Sequence, residues 1–179
     1  MQRASRARRR RALRVLGIDP GTVRTGWGVV ERSGSTVRGL GMGVIRAREG
    51  DPLEQRLASV FEGLVAVLVE HAPDEVAVED VFFAKHANAA LKLGHARGVA
   101  LLAAARAGLA VTAYPPAVVK RAIGGHGAAD KAQLAQMVRA ILGLTTLPPV
   151  DATDALAIAL THVHAMRAPA LVPKSKRTR

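Results

Sequence analysis

The stretch Val15-Leu16-Gly17-Ile18-Asp19-Pro20-Gly21 constrains the rest of the chain more than any other. Its apolar run reads as a buried strand, and the Pro-Gly pair that follows stops it. Asp19 then sits on rigid backbone at the rim of a sheet, where side chains leave the core and meet solvent. On this stretch alone Asp19 has two readings: the start of an Asx-type turn with Pro20 and Gly21, or a carboxylate displayed for chemistry. Three more carboxylates in similarly apolar settings, Glu79, Asp151 and Asp154, shift the balance toward chemistry.

A chain of 179 residues, 49% of them hydrophobic, can bury a core as one domain, expected over residues 15–166. It has no run of eighteen or more apolar residues, and its arginine-rich start is not followed by the apolar segment of a secretory signal, so a soluble, cytoplasmic protein is expected, with no membrane partner. Cysteine is absent, so any metal must be held by oxygen or imidazole. The net charge of +12 is unevenly placed. Residues 1–14 carry seven arginines and residues 167–179 carry five Lys or Arg, with no acid in either stretch. Both ends read as basic, flexible arms; a transit peptide is the other reading of the first. The body is formally neutral but segregated: from Val81 to Val150 there are eight basic residues and one acid, Asp130. That half, with Lys85, Lys92, Arg97, Lys120 and Lys131, is where a polyanion would be drawn.

Apolar periodicity and turn residues give the order of elements. Arg14–Ile18 reads as a first strand, Thr25–Glu31 as its hairpin partner, and Thr36–Arg46, loosened by three glycines, as a third. Pro52–His71 has apolar residues at spacings of three and four, which predicts an amphipathic helix. Glu75–Glu79 is then a short strand reached by a helical crossover, and so parallel to an earlier one. Val81–Ala87 reads as a loop in which Phe82 and Phe83 stand near Lys85. Either ring could plug the loop against the body or stack on an unpaired base. Asn88–Gly108 reads as a helix whose second half is apolar all round, expected to be central or at a subunit interface. A strand at Val111–Tyr114, a short helix at Pro116–Ile123, a flexible loop at 124–127, an Asp130-capped helix at Lys131–Leu142 and a last helix at Asp151–Met166 complete the chain.

Asp151 and Asp154, three residues apart, project from one side of the first turn of that last helix. Capping and the helix dipole account for one such acid without any function. If the strands ending in Asp19 and Glu79 are neighbours, their carboxylates stand roughly 5 Å apart. Such a group repels itself unless cations neutralise it. Mg²⁺ suits a few carboxylates together with water and phosphate oxygens, and two such ions can cut a phosphodiester. The acids and the basic half together therefore predict a nuclease.

Four segments carry a family resemblance: Gly17-Ile18-Asp19-Pro20-Gly21, Val78-Glu79-Asp80-Val81-Phe82, the run from Ala90 to Gly98, and Asp151-Ala152-Thr153-Asp154-Ala155-Leu156-Ala157. In order and over Val15 to Met166, they resemble the bacterial RuvC Holliday-junction resolvases. The resemblance implies an RNase H-like α/β domain with a five-stranded mixed sheet, three antiparallel strands and then parallel ones, flanked by helices. It also implies a homodimer that nicks a four-way DNA junction symmetrically with Mg²⁺ or Mn²⁺, two ions per site, and works with the RuvA–RuvB branch-migration motor. Asp19, Glu79, Asp151 and Asp154 match the metal-binding catalytic acids. Phe82 matches an aromatic that stacks on a junction base, and Lys120 and Lys131 match lysines facing the DNA. No counterpart is identified for the arginine arm.

Three other readings stand beside this one. The Gly-Ile-Asp-Pro-Gly-Thr run also resembles the phosphate loop of actin-like ATPases, but that class needs a second, duplicated domain. An RNA-directed nuclease of the same fold is disfavoured by the lysine-bearing helices and Phe82. A non-catalytic junction-binding architectural protein would have no reason to gather four acids where they repel phosphate. None of the histidines is needed for the nuclease scheme: His162, on the face of Asp151 and Asp154, is explained by dipole or packing, and His126 is a weak candidate for phosphate contact.

Overall fold

Strand β1 (Leu13–Asp19) lies at the centre of the architecture, paired on both edges and buried on both faces. The structure is a computed structural model and describes residues 12–80, 87–125 and 130–166. β2 (Arg24–Ser33) pairs with β1 antiparallel, and β3 (Thr36–Arg46) pairs with β2 in the same sense. Helix α1 (Leu53–His71) crosses over to β4 (Glu75–Glu79), which lies parallel to β1 on its other side. Helix α2 (Ala87–Arg106) then leads to β5 (Ala110–Tyr114), parallel to β4, giving the order β3-β2-β1-β4-β5. Helices α3 (Pro116–Gly124), α4 (Lys131–Leu142) and α5 (Val150–Ala165) follow. This is the mixed sheet expected from the sequence. β1 begins at Leu13, two residues inside the stretch assigned to the basic arm. Its Arg14 is built into the sheet, exchanging backbone and side-chain hydrogen bonds with Asp74 and donating to buried Glu31. Arg14 and Arg38 together hold the Glu31 carboxyl below its usual range through hydrogen bonds.

Alternation along the strands divides the core in two. Leu16, Ile18, Val29, Val76 and Val78 face α1 and α2, while Val15, Val30 and Ala77 face α3, α4 and α5. The central helix is α5, buried from Ala155 through Val163. α2, expected to be buried on more than one face, is peripheral: Ala100, Ala103 and Ala104 pack inward, while Leu91 and Leu102 remain more than half exposed. Val99 and Leu101 add to the inward face, so its apolar pattern wraps from the core side to an exposed side, a distinction periodicity alone does not make. The glycines of β3 have a packing role too, since a Cβ at Gly43 would meet the Trp27 indole and one at Gly41 the His71 ring.

α5 approaches the sheet so closely that two glycines are required beneath it. A Cβ at Gly17 would collide with the carbonyl oxygen of Ala155, and one at Gly26 with that of Asp151. Gly26→Ala is therefore expected to cost about 1–3 kcal/mol, the usual range for overpacking. Gly50→Ala, where nothing lies within 4 Å, should be near neutral. Urea denaturation of the two variants beside the wild type measures the difference.

Candidate active site

Asp19 is carried to the edge of the sheet by β1, and the turn behind it is pinned by one buried hydroxyl. Thr25 Oγ1 donates to the Gly21 carbonyl at 2.8 Å and accepts from the Gly21 amide at 3.2 Å. Parallel pairing sets Ile18 opposite Val78, so Asp19 and Glu79 leave the sheet side by side, as the sequence predicted for neighbouring strands. Asp151 and Asp154 arrive from the other layer. Pro148 and Pro149 precede α5, and Thr153 anchors its first turn through its amide, 2.8 Å from the Pro149 carbonyl. The contact over Gly26 then holds the Asp151 backbone against β2.

The four acids share one electrostatic environment. Burial, followed by the charges of Glu79, Asp154 and Asp151, pushes the Asp19 carboxyl up to about 7. Burial and the Asp154 charge raise Glu79, and burial, reinforced by Asp151, raises Asp154. Cations border the group. Lys131 Nζ is 3.8 Å from Asp154, and Arg24 lies 3.9 Å from Asp151 on the opposite flank. Lys120, Lys131, Asp130, Leu134 and Asp154 line a cleft of about 190 Å³. Among the described residues no three acids or histidines are drawn tightly enough to form a ready-made metal cage. The arrangement is thus four carboxylates facing a common space, with basic side chains resting against the outer two.

The basic candidates fall in different places. Lys120 and Lys131 stand exposed at the cleft, and Lys92 is exposed on α2. Arg97 is engaged elsewhere, 3.2 Å from Asp80, next in the chain to Glu79. Phe82, Lys85, His86, His126 and the two terminal arms lie outside the described residues, except for residues 12–14 at the end of the first arm. His162 is not at the acids. It is buried, with Nε2 at 2.7 Å from Glu75 and Nδ1 at 2.9 Å from the Tyr114 hydroxyl. An ionised carboxylate only accepts, so the neutral ring carries its proton on Nε2 and takes the tyrosine proton at Nδ1. Burial, with the Glu75 charge behind it, pushes the Tyr114 hydroxyl above its ordinary range. This bridge ties the far end of α5 to β4 and β5, a role that the sequence signalled only by a histidine among the apolar residues of the helix.

A mixed sheet in this strand order, crossed by a buried helix that adds acids to those at the ends of the first and fourth strands, defines an RNase H-like nuclease. The comparisons are more specific. The family model described as Crossover junction endodeoxyribonuclease RuvC matches residues 15–162. A relative of that name from Chloroflexus aggregans is 51% identical over 153 residues, covering 85% of this chain and 93% of its own. Another from Sorangium cellulosum is 52% identical over 153 residues, 86% of each chain. The solved structure of T. thermophilus RuvC in complex with Holliday junction substrate is 43% identical, with a TM-score of 0.81 over 87% of this chain and 95% of that one. The yeast mitochondrial Holliday junction resolvase Ydc2, 16% identical with a TM-score of 0.60 over 83% of this chain and 77% of its own, shares the fold. The chain belongs to the RuvC family of crossover junction endodeoxyribonucleases.

The raised Asp19 pKa sets a direction for stability. An unfolded aspartate titrates near about 3.9, whereas Asp19 in the fold titrates at about 7. Between those values the folded state keeps a proton that the unfolded chain has lost, so the Asp19 contribution falls as pH rises through the window and levels off above it. Asp19→Asn should therefore raise the metal-free melting temperature at pH 8, with the gain shrinking toward pH 4. Thermal melts in a chelator across that range check it.

Proposed function

We propose that this chain resolves four-way DNA junctions in recombination and repair by symmetric nicking, with Asp19, Glu79, Asp151 and Asp154 as the catalytic acids and as ligands of Mg²⁺ or Mn²⁺, two ions per site. The observation that carries the reading is the convergence of four partly buried carboxylates, where burial, followed by the charges of the other three acids, lifts Asp19 to about 7. A donor set made only of carboxylate oxygens fits a hard divalent cation, and neutralisation of the repulsion supplies the drive to bind it. When bound, such ions supply an activated water and neutralise charge at the leaving oxygen.

The chain's own groups do the positioning. The strands hold Asp19 and Glu79 side by side, and α5 sets Asp151 and Asp154 against them. Lys131, resting on Asp154, and Lys120 across the same cleft are suited to bind the phosphates of the strand to be cut. The resemblance assigns Phe82 to stacking on a base near the cut, and Lys85 and Lys92 belong to the basic half of the chain expected to draw the DNA. Arg97 supports the site indirectly through Asp80. Residues 15–166 act as the nuclease domain in the cytoplasm, and the basic ends add phosphate attraction.

Two symmetric nicks call for two sites, and the outer face of α2 is suited to pair two copies. Leu91 and Leu102 are 61% and 54% exposed, and with Leu57, Val99 and neighbouring residues they line a shallow apolar cleft. A Cβ at Gly94 or Gly98 would meet nothing within 4 Å, so a second backbone could come close there. The branch-migration motor RuvA–RuvB is the further partner that the family implies.

Cleavage of a synthetic four-way junction and a matched linear duplex with Mg²⁺ or Mn²⁺ tests this reading. The wild type should nick only the junction, at symmetric positions. Asp19→Asn should abolish nicking while junction binding persists. Absence of nicking with both metals, over junctions of varied central sequence, would sink the reading.

A further inference from the structure

On the side of the acids away from Lys120 and Lys131, two arginines face each other across the sheet. Arg24 opens β2 and Arg46 closes β3, and the two are direct cross-strand partners. Side chains so placed share a face with Cβ atoms about 5 Å apart, and like charges directly opposite destabilise a sheet. The shared face is that of α5, because Gly26, two residues beyond Arg24, lies under Asp151. The backbone at this corner is held by the Ala47 amide donating to the Val23 carbonyl at 2.9 Å, which keeps the two arginines paired at the backbone.

Neither arginine is well satisfied within the fold. Arg24 is 62% exposed on its side chain and meets Asp151 only at 3.9 Å, beyond hydrogen-bond range. Arg46 is exposed and has no ion-pair partner among the described residues. Two exposed arginines that are direct cross-strand partners, one with only a long contact to Asp151 and the other with no ion pair among the described residues, match a ligand that presents several anionic oxygens at once.

We propose that Arg24 and Arg46 form a second phosphate clamp, which grips the backbone of the DNA strand on the flank of the acids opposite Lys120 and Lys131. This deepens the proposed nuclease reading and rests on it. β2 and β3 lie one and two strands from β1, and Arg24 and Arg46 sit two residues along from the register partner of Asp19, so they stand roughly 8–12 Å from it at the backbone. That distance places the clamp on a phosphate close along the strand from the one facing the acids. A strand crossing the sheet edge is then held on both sides of the point of cleavage. When it arrives, Arg24 exchanges its long contact with Asp151 for phosphate oxygens, which releases the carboxylate toward the centre of the site.

The test is junction binding as a function of salt, with Ca²⁺ in place of the catalytic metal, for the wild type, Arg24→Gln, Arg46→Gln, the double variant and Lys131→Gln. Each single arginine variant should lower the slope of log affinity against log salt by about 1, and the double variant by about 2, with little change in melting temperature. Arg46→Lys should restore most of the slope, since it keeps the charge. Arg46 touches none of the acids, so its result is independent of any shift of Asp151. Unchanged affinity and slope in the double variant, while Lys131→Gln weakens binding, would overturn the clamp and leave the nuclease site standing. If the wild type and all variants fail to prefer the junction to duplex, the reading of the site itself falls, and the clamp with it.

Discussion

Everything at the candidate site depends on how closely α5 lies on the sheet. A buried helix normally rests on side chains, at a distance set by their size. Here Gly17 and Gly26 remove those side chains, and the helix backbone descends until carbonyl oxygens of Ala155 and Asp151 occupy the space. The small residues Ala155 and Ala159 continue this close face along the helix. Because α5 is low at its first turn, Asp151 and Asp154 arrive at the height where Asp19 and Glu79 leave the strands. With larger side chains at 17 and 26, the same four acids would form two separate pairs.

The opposing force is the repulsion that this proximity creates. Each acid is partly buried and gains like-charged neighbours, and for Asp19, Glu79 and Asp154 burial is the larger cause of the raised pKa. The rest of the fold resists the tendency of the group to spread. The threonine hydroxyl behind Asp19 ties β2 to the turn, the Thr153 bonds to the diproline carbonyls fix the start of α5, and the His162 bridge fixes its far end to β4 and β5. The basic side chains at the rim stand 3.8 and 3.9 Å from the outer acids, so they offset the charge without filling the centre.

Much of the architecture was legible because it rests on local rules. The strand ending in Asp19, the crossover helix α1, the capping box of Asp130 and the acids on the first turn of α5 all follow from patterns a few residues long. Readings failed where the answer depended on what a surface meets. The even apolarity of α2 suggested a central helix or a subunit interface; within the fold it is peripheral, with Ala100, Ala103 and Ala104 inward and Leu91 and Leu102 outward. The β3 glycines looked like weakness and are seats for Trp27 and His71, rings that come from other elements. His162 looked unremarkable because both of its partners, Glu75 and Tyr114, are distant in sequence.

The sequence by itself determined the class of fold, the four acids and, through its ordered motifs, the family, since hydrophobic period, turn residues and motif spacing are properties of neighbouring positions. Only the tertiary structure decided that the acids share one field, that Arg97 serves Asp80, and that Arg24 stands across from Arg46. The physical reason is that charge interactions and close packing depend on distances through space. Those distances are set by strand register and by the height of a helix above a sheet, which no local pattern encodes.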